Sequence, residues 1–291
     1  MDQLVTTTAA GGSIRVRAAV TTSLVAEARE RHDCAPTATA ALGRLMTAAA
    51  LMGGALKGQQ RVALQIAGAG PMRNLVAEAF PSDDAIGVRG MTPHPEIDLP
   101  LNGKGKFDVG GAVGRGVLQV TRSHESGQPY TGIVDLVSGE IGEDIASYFA
   151  NSEQTPSIVA LGVLAGPRGV IAAGGVIAEL LPGAPAQTID VLERSAAALP
   201  PVTGLVRDGA DAWAIAQALV GELAPKRLRA VPVRFACRCS RQKVEAAMRG
   251  LGAASLAEIV REGDSQRVTC DYCKRLYVLT PQEIEALAQP A

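Results

Sequence analysis

The chain has 291 residues, of which 47% are hydrophobic and 3% aromatic, and its formal net charge is −1. This composition supports a sizeable core of aliphatic side chains, and the charge balance argues against the broad basic surface that non-specific nucleic-acid binding needs. No apolar run approaches the roughly 20 residues of a membrane helix, and the N-terminal residues lack a basic stretch followed by an apolar one. We therefore expect a cytoplasmic protein, whose cysteine thiols stay reduced.

The first 183 residues carry alternating strand and helix patterns. Strands are predicted at residues 13–20, 61–67, 73–79, 86–91, 116–123, 131–137, 157–164 and 170–181. Helices are predicted at residues 21–32, 36–52 and 140–149. Short turns rich in Gly, Pro and Asp separate most of the strands, as is typical of antiparallel sheets. These patterns predict an α/β core domain with antiparallel sheets over residues 1–183.

The composition changes after Pro182-Gly-Ala-Pro185, where an Ala-rich helical pattern begins. Residues 186–223 are interpreted as two or three helices, and a short strand at residues 230–235 follows. The apolar residues of these helices, Trp213 among them, need a surface to cover. We therefore predict a helical linker region over residues 184–234 that packs on the core domain.

Four of the five cysteines fall into two close pairs near the C-terminus. Cys237 and Cys239 are separated by one residue, and Cys270 and Cys273 by two. Thiolate sulfur suits tetrahedral Zn²⁺, and two arms of two cysteines fill its four positions without leaving a site for substrate or water. The pattern predicts one zinc ion per chain in a structural or redox-sensitive site, and no hydrolytic enzyme. The alternatives are a pair of redox dithiols without metal and a chance clustering of the cysteines.

The zinc ligands lie in a small C-terminal domain, predicted at residues 235–291. Between the two arms, helices are expected at residues 240–248 and 256–261, and a hairpin is expected around Cys270 and Cys273. Because this unit has few large apolar residues, we expect zinc to supply part of its folding free energy. Oxidation of the thiolates would then remove both the ligands and the local fold. The chain as a whole is classed as α+β.

The sequence resembles the redox-regulated chaperone family called heat-shock protein 33, or the 33 kDa chaperonin. The resemblance includes the two cysteine pairs within Phe235-Ala-Cys-Arg-Cys-Ser-Arg241 and Cys270-Asp-Tyr-Cys273. Upstream landmarks in the same order are Gly68-Ala-Gly-Pro-Met72, Tyr130-Thr-Gly-Ile-Val134, Tyr148-Phe-Ala-Asn-Ser-Glu-Gln-Thr-Pro156 and Ala172-Ala-Gly-Gly175. The resemblance therefore covers nearly the whole chain.

This resemblance implies a chaperone that oxidation activates and that is not an enzyme. Reduced family members hold zinc through the four cysteines and chaperone poorly. The resemblance further implies that oxidation forms the disulfides Cys237–Cys239 and Cys270–Cys273 and releases zinc. The zinc-binding domain and the linker then lose structure. The active form binds unfolding client proteins without ATP and tends to dimerise. The sequence agrees with activity that does not need ATP, since it has no GxxxxGK[ST] phosphate loop.

Two other function classes remain open from the residues alone. One is a zinc-ribbon nucleic-acid binder, since residues 237–280 carry eight Lys or Arg against five Asp or Glu. The other is a thiol oxidoreductase using Cys270-Asp-Tyr-Cys273, although that motif is expected on a strand-to-helix turn. The fifth cysteine, Cys34, is interpreted as a small, partly buried hydrophobic residue, with a side role in oxidation as the alternative. All three histidines, His32, His94 and His124, are predicted to be surface residues.

Overall fold

A computed structural model describes residues 1–123 and 128–288 of the chain. It divides into two compact units, unit 1 at Met1–Ala236 and unit 2 at Cys237–Ala291. The strands of unit 1 are β1 (Gln3–Ala9), β2 (Ile14–Val20), β3 (Arg61–Gly68), β4 (Asn74–Ser82), β5 (Ala85–Met91), β6 (Gly116–Ser123), β7 (Tyr130–Asp135), β8 (Ser157–Gly166), β9 (Gly169–Leu180) and β10 (Lys226–Phe235). Its helices are α1 (Thr22–His32), α2 (Pro36–Gly53), α3 (Val109–Val113), α4 (Gly142–Asn151), α5 (Ala186–Ala198), α6 (Val202–Arg207) and α7 (Ala212–Val220).

The described strands of unit 1 form one sheet in the order β7-β6-β3-β4-β5-β10-β1-β2-β9-β8. Every neighbouring pair is antiparallel except β5 and β10, which are parallel. Residues 226–232 of β10 pair with β1, whereas residues 233–235 pair with β5. Strand β10 therefore joins two half-sheets, β7-β6-β3-β4-β5 and β1-β2-β9-β8, by changing partner along its length.

Helix α2 forms the centre of the main core. Its sequence is rich in Ala, Leu and Met on every side, which is typical of a fully buried helix, and all of its residues except Pro36 and Arg44 are buried. It contacts β3, β4 and β5 of one half-sheet and β2, β8 and β9 of the other. A Cβ atom at Gly43 would lie 2.6 Å from a methyl carbon of Val25 in α1 and 2.9 Å from one of Val163 in β8. Small side chains therefore allow the two half-sheets to enclose the helix closely.

A second apolar layer covers the opposite face of the half-sheet that contains β1, β2 and β9. Helices α6 and α7 pack directly on these strands, and α5 packs on α7. The buried residues of this layer include Leu192, Ile215 and Leu219 from the helices and Ile14, Val16 and Val176 from the strands. Residues 186–220 thus shield an apolar sheet face that would otherwise meet water. We call these residues the helical cover.

A buried ion pair fixes the end of α2 against the sheet. Arg17 of β2 pairs with Glu179 of β9, and both side chains are less than 10% exposed. The Arg17 guanidinium also donates to the Leu51 carbonyl at 3.2 Å. Since this carbonyl lies in the last turn of α2, Arg17 supplies the cation that helix C-termini favour.

Unit 2 is much smaller and has its own core. Its described elements are α8 (Arg241–Arg249), α9 (Ala253–Glu262), β11 (Gln266–Thr269), β12 (Leu276–Leu279) and α10 (Pro281–Ala288). The strands β11 and β12 form an antiparallel hairpin. Among the described residues, the buried hydrophobic core consists of Met248, Leu256, Leu279, Ile284 and Leu287.

The predicted α+β class, with antiparallel pairing dominating the sheet, is confirmed. The predictions missed β1, α3 and α10, and they included no parallel pairing. One histidine prediction was wrong, because His32 is buried at 4% exposure in the last turn of α1. His94 is half-buried and pairs with Glu96, and His124 lies outside the described residues.

Candidate metal centre

The first cysteine arm precedes a capped helix. Cys237 and Cys239 lie in the extended segment before α8, and Ser240 is the N-cap residue of that helix. The Ser240 hydroxyl accepts a hydrogen bond from the Lys243 backbone N–H at 3.3 Å, and the Lys243 ammonium donates to the Arg238 carbonyl at 2.5 Å. The helix start therefore fixes the backbone that carries both thiols.

The second arm occupies the turn of the β11–β12 hairpin. The Cys270 backbone N–H donates to the Arg275 carbonyl at 3.0 Å, and the Lys274 N–H donates back to the Cys270 carbonyl at 2.8 Å. Lys274 has a φ of 57°, in the left-handed region. This tight turn brings the thiols of Cys270 and Cys273 together, as the sequence spacing predicted.

The four sulfur atoms of the two arms form a single cluster. All lie within 4.8 Å of one another. The Sγ atoms of Cys237 and Cys270 are 3.7 Å apart, and those of Cys239 and Cys273 are 3.4 Å apart. Four sulfurs around one zinc ion at about 2.3 Å would be separated by about 3.8 Å. The arrangement therefore fits one tetrahedral metal ion, and each arm contributes two ligand atoms.

The cluster shifts the pKa values of three of its thiols in different directions when no cation is bound. Burial acts to raise the pKa of the Cys239 thiol, but hydrogen bonds from Tyr277 and the other cysteines lower it to about 7. Burial raises the pKa of Cys273 to about 12, and the neighbouring cysteines add to this effect. Burial also raises the pKa of Cys270. Full ionisation of four thiols in so small a volume requires a bound cation to offset their repulsion.

The hydroxyl of Tyr277 contacts the cluster directly, which the sequence interpretation missed. It donates to the Cys239 sulfur at 3.1 Å. Tyr277 belongs to β12, four residues after Cys273, and the sequence suggested only a hairpin position for it. A hydroxyl that reaches back across a hairpin has no signature in spacing alone.

Cys34 belongs to unit 1 and is not a member of the four-cysteine cluster. It is 4% exposed within the main core, and is therefore more deeply buried than the partial burial predicted for it. Trp213 belongs to α7 of the helical cover and is half-buried against the apolar residues of that layer, with the Arg227 guanidinium 5.7 Å from its ring centroid. None of the described helices is long and apolar enough to span a membrane.

Comparison with known proteins identifies the family. The family model described as Hsp33 protein matches residues 2–280. The chain belongs to the Hsp33 family. It is 40% identical over 289 residues to the 33 kDa chaperonin of Ruminiclostridium cellulolyticum, covering 99% of this chain and 98% of that protein. It is also 40% identical to the 33 kDa chaperonin of Bacillus licheniformis, covering 99% of both chains.

A solved structure shares the fold over nearly the whole chain. The crystal structure of the 33 kDa chaperonin, a heat shock protein 33 homolog, from Thermotoga maritima aligns with a TM-score of 0.89 and 34% sequence identity. It covers 99% of this chain and 97% of that one. Hsp33 family members are chaperones and not enzymes. Together with the four-cysteine cluster, membership fits a redox-regulated chaperone.

Proposed function

We propose that this protein is a redox-regulated, ATP-independent holdase that binds unfolding proteins and prevents their aggregation under oxidative stress. The observation that carries the proposal is the four-sulfur cluster, in which all sulfurs lie within 4.8 Å. In the reduced state the ligands of one Zn²⁺ are Cys237, Cys239, Cys270 and Cys273. A reducing cytoplasm keeps these thiolates available for the metal.

Bound zinc would supply folding free energy to unit 2, whose described core has only five fully packed side chains. Both arms must hold their thiols at one point for the metal to bind, so the metal ties the α8 start to the hairpin turn. When the ligands are lost, that constraint is lost with them. We therefore expect unit 2 to unfold locally on oxidation.

The oxidation step consumes four thiolates and forms two disulfides, Cys237–Cys239 and Cys270–Cys273. Four electrons pass to two molecules of peroxide, which take up four protons and leave as four molecules of water. Zn²⁺ is released because a disulfide sulfur is a poor ligand. The sulfur separations of 3.7 and 3.4 Å both run between the arms, so peptide mapping of the oxidised protein distinguishes the proposed pairing within arms from pairing between them.

The proposed client surface is the apolar sheet face beneath the helical cover. The cover consists of three short helices of 13, 6 and 9 residues. Among these three described helices, only α7 has a side-chain N-cap hydrogen bond. The Ala214 backbone N–H donates it to the Asp211 carboxylate at 2.7 Å. Short helices depend on packing for their stability, so the cover is suited to open before the main core. Opening would expose Ile14, Val16 and Val176 to clients and to a second copy of the chain.

The test compares zinc-loaded reduced protein with protein treated with hydrogen peroxide under mild heat, both without ATP. Light scattering from a chemically unfolded test protein reports holdase activity, and a chromogenic chelator reports zinc release. We expect suppression of scattering by the oxidised form alone, with one zinc released per chain. Equal activity of the two forms, or equal inactivity, would refute the switch.

A further inference from the structure

Strand β8 lies at the end of the unit 1 sheet and has an open backbone edge. The Leu180 N–H donates to the Pro156 carbonyl at 2.9 Å, and the pairing of β8 with β9 continues in register from there. In an antiparallel pair, alternate residues direct their N–H and C=O groups away from the partner strand. Here those residues are Val159, Leu161 and Val163. Within the described chain, no strand pairs with this outer edge.

The open edge of β8 lacks the charges that usually protect such edges. From Ser157 to Gly166 the strand contains no charged residue. By contrast, residues 226–232 of β10 are also unpaired on one side within the described chain, and they carry Lys226, Arg227 and Arg229. Charged side chains, lysine above all, discourage another strand from adding to an edge. Residues 226–232 of β10 therefore discourage strand addition by their charge, whereas the outer edge of β8 has no such protection.

The receptive edge lies along a groove large enough for a peptide. A cavity of about 1080 Å³ is lined by the consecutive residues 159–165 of β8. Since side chains alternate between the faces of a strand, an unbroken run of lining residues places the backbone edge itself in the groove. Residues 101–107 and 199–203 form other parts of the wall. They include the apolar side chains Leu101 and Val202.

The charges at the groove rim indicate which segments would fit. Arg44 is neutralised by its ion pair with Glu140. Lys104 and Lys106 are exposed, and neither has an ion-pair partner among the described residues. The exposed Glu143 also lines the groove, so its unpaired charges sum to +1. Acidic residues flanking an apolar segment would complement the two lysines where they lie beside them.

We infer that the β8 edge binds an extended, apolar client segment with acidic flanks as an added strand. The inference rests on the proposed holdase function and assigns it a second mode of contact, through backbone hydrogen bonds. Residues 159 to 163 span about 13 Å of strand, so the added segment needs only five to seven residues. Main-chain pairing is independent of sequence, which suits a chaperone with many clients.

The first test uses a fluorescent peptide of about nine residues, with valine and threonine alternating between glutamates at both ends. A second peptide has the same side chains but N-methylated backbone amides, which cannot donate hydrogen bonds. Fluorescence anisotropy measures the binding of both to the full-length protein in its reduced form, in which residues 199–203 line the groove, and in its oxidised form, since both forms carry the β8 edge. We expect the methylated peptide to bind at least about tenfold more weakly, because several hydrogen bonds are lost together. Equal affinities would overturn the inference.

A matched pair of variants tests the same edge from the protein side. Val159→Pro removes an outward N–H and the valine side chain, whereas Val159→Ala removes most of the side chain and keeps the N–H. Proline is tolerated at a strand edge, and unchanged zinc content with equal melting temperatures would show that both variants fold. We expect weaker peptide binding by Val159→Pro than by Val159→Ala, and equal binding would count against strand addition.

A parallel aggregation assay separates the two proposals. Suppression of aggregation by oxidised wild-type protein, with no discrimination between the peptides, would leave the holdase standing and remove the β8 site. Failure to suppress aggregation would refute the holdase, and the β8 inference with it.

Discussion

Truncating one buried side chain of the helical cover should lower the threshold for activation. Ile215 of α7 is fully buried against β1 and β2. Ile215→Ala removes three carbons, a loss of about 2.4 kcal/mol at about 0.8 kcal/mol each. The cavity left behind brings the expected cost to about 3 kcal/mol.

This cost should appear as more frequent opening of the cover. A change of about 3 kcal/mol raises the population of opened molecules about 150-fold. Hydrogen–deuterium exchange of amides in residues 186–220 would measure this directly in the reduced protein. Light scattering at increasing peroxide concentrations should then show activation of Ile215→Ala at milder oxidation than wild type.

The matched control is Ile171→Ala, the same substitution at a β9 position that is 54% exposed. Its expected cost is below about 0.5 kcal/mol, with wild-type exchange and activation. A lower melting temperature of Ile215→Ala with amide exchange in the helical cover at the wild-type rate would show that the substitution does not act by opening the cover. Equal activation of the two variants would also refute this mechanism.

Three further predictions concern other parts of the molecule. Cys273→Ser should lose zinc during gel filtration and make unit 2 sensitive to protease, whereas Cys34→Ser should keep the metal; elemental analysis and limited proteolysis check both. Tyr148→Phe removes a hydrogen bond of 3.0 Å to Glu153 and should cost about 1 kcal/mol in urea unfolding at neutral pH. Burial raises the pKa of Tyr148 from 10.0 to about 12. The protonated phenol therefore stabilises the folded state fully below pH 10, and this stabilisation is lost as the pH rises to 12. Across that window the wild type should lose stability relative to Tyr148→Phe. Asp2→Ala removes the carboxylate that accepts two N–H groups in the first turn of α1, and should lower the free energy of unfolding by about 1 kcal/mol.

The sequence predicted most elements whose hydrophobic pattern is local. Helix α2 was predicted within one residue of its observed end, because its Ala- and Leu-rich run begins at a proline and ends at glycines. The β11–β12 hairpin was predicted from the second cysteine pair. Strand β1 was missed because Gln3–Ala9 lacks a regular apolar alternation, although its three consecutive threonines favour a strand. Its strand conformation depends on pairing with β2, the next strand in the chain, and with β10, which lies at the far end of unit 1 in the sequence.

The candidate site was predictable to a similar extent. Cysteine spacing identified the four residues that the structure brings together, since each arm is local in sequence. The contact between Tyr277 and Cys239 was not predictable, because it depends on how the hairpin folds back on the first arm. The open edge of β8 was also hidden, since edge status follows from the strand order of the whole sheet.

The position of β10 also determines when the complete sheet can form during synthesis of the chain. Its residues are the last of unit 1 to be synthesised, yet they lie between β5 and β1 in the middle of the sheet. On the ribosome, the two half-sheets therefore emerge before the strand that joins them. Non-local pairing of this kind slows folding and leaves strand edges unpaired for longer. A newly made chain of this chaperone thus passes through the same aggregation-prone condition as the clients that it is proposed to protect.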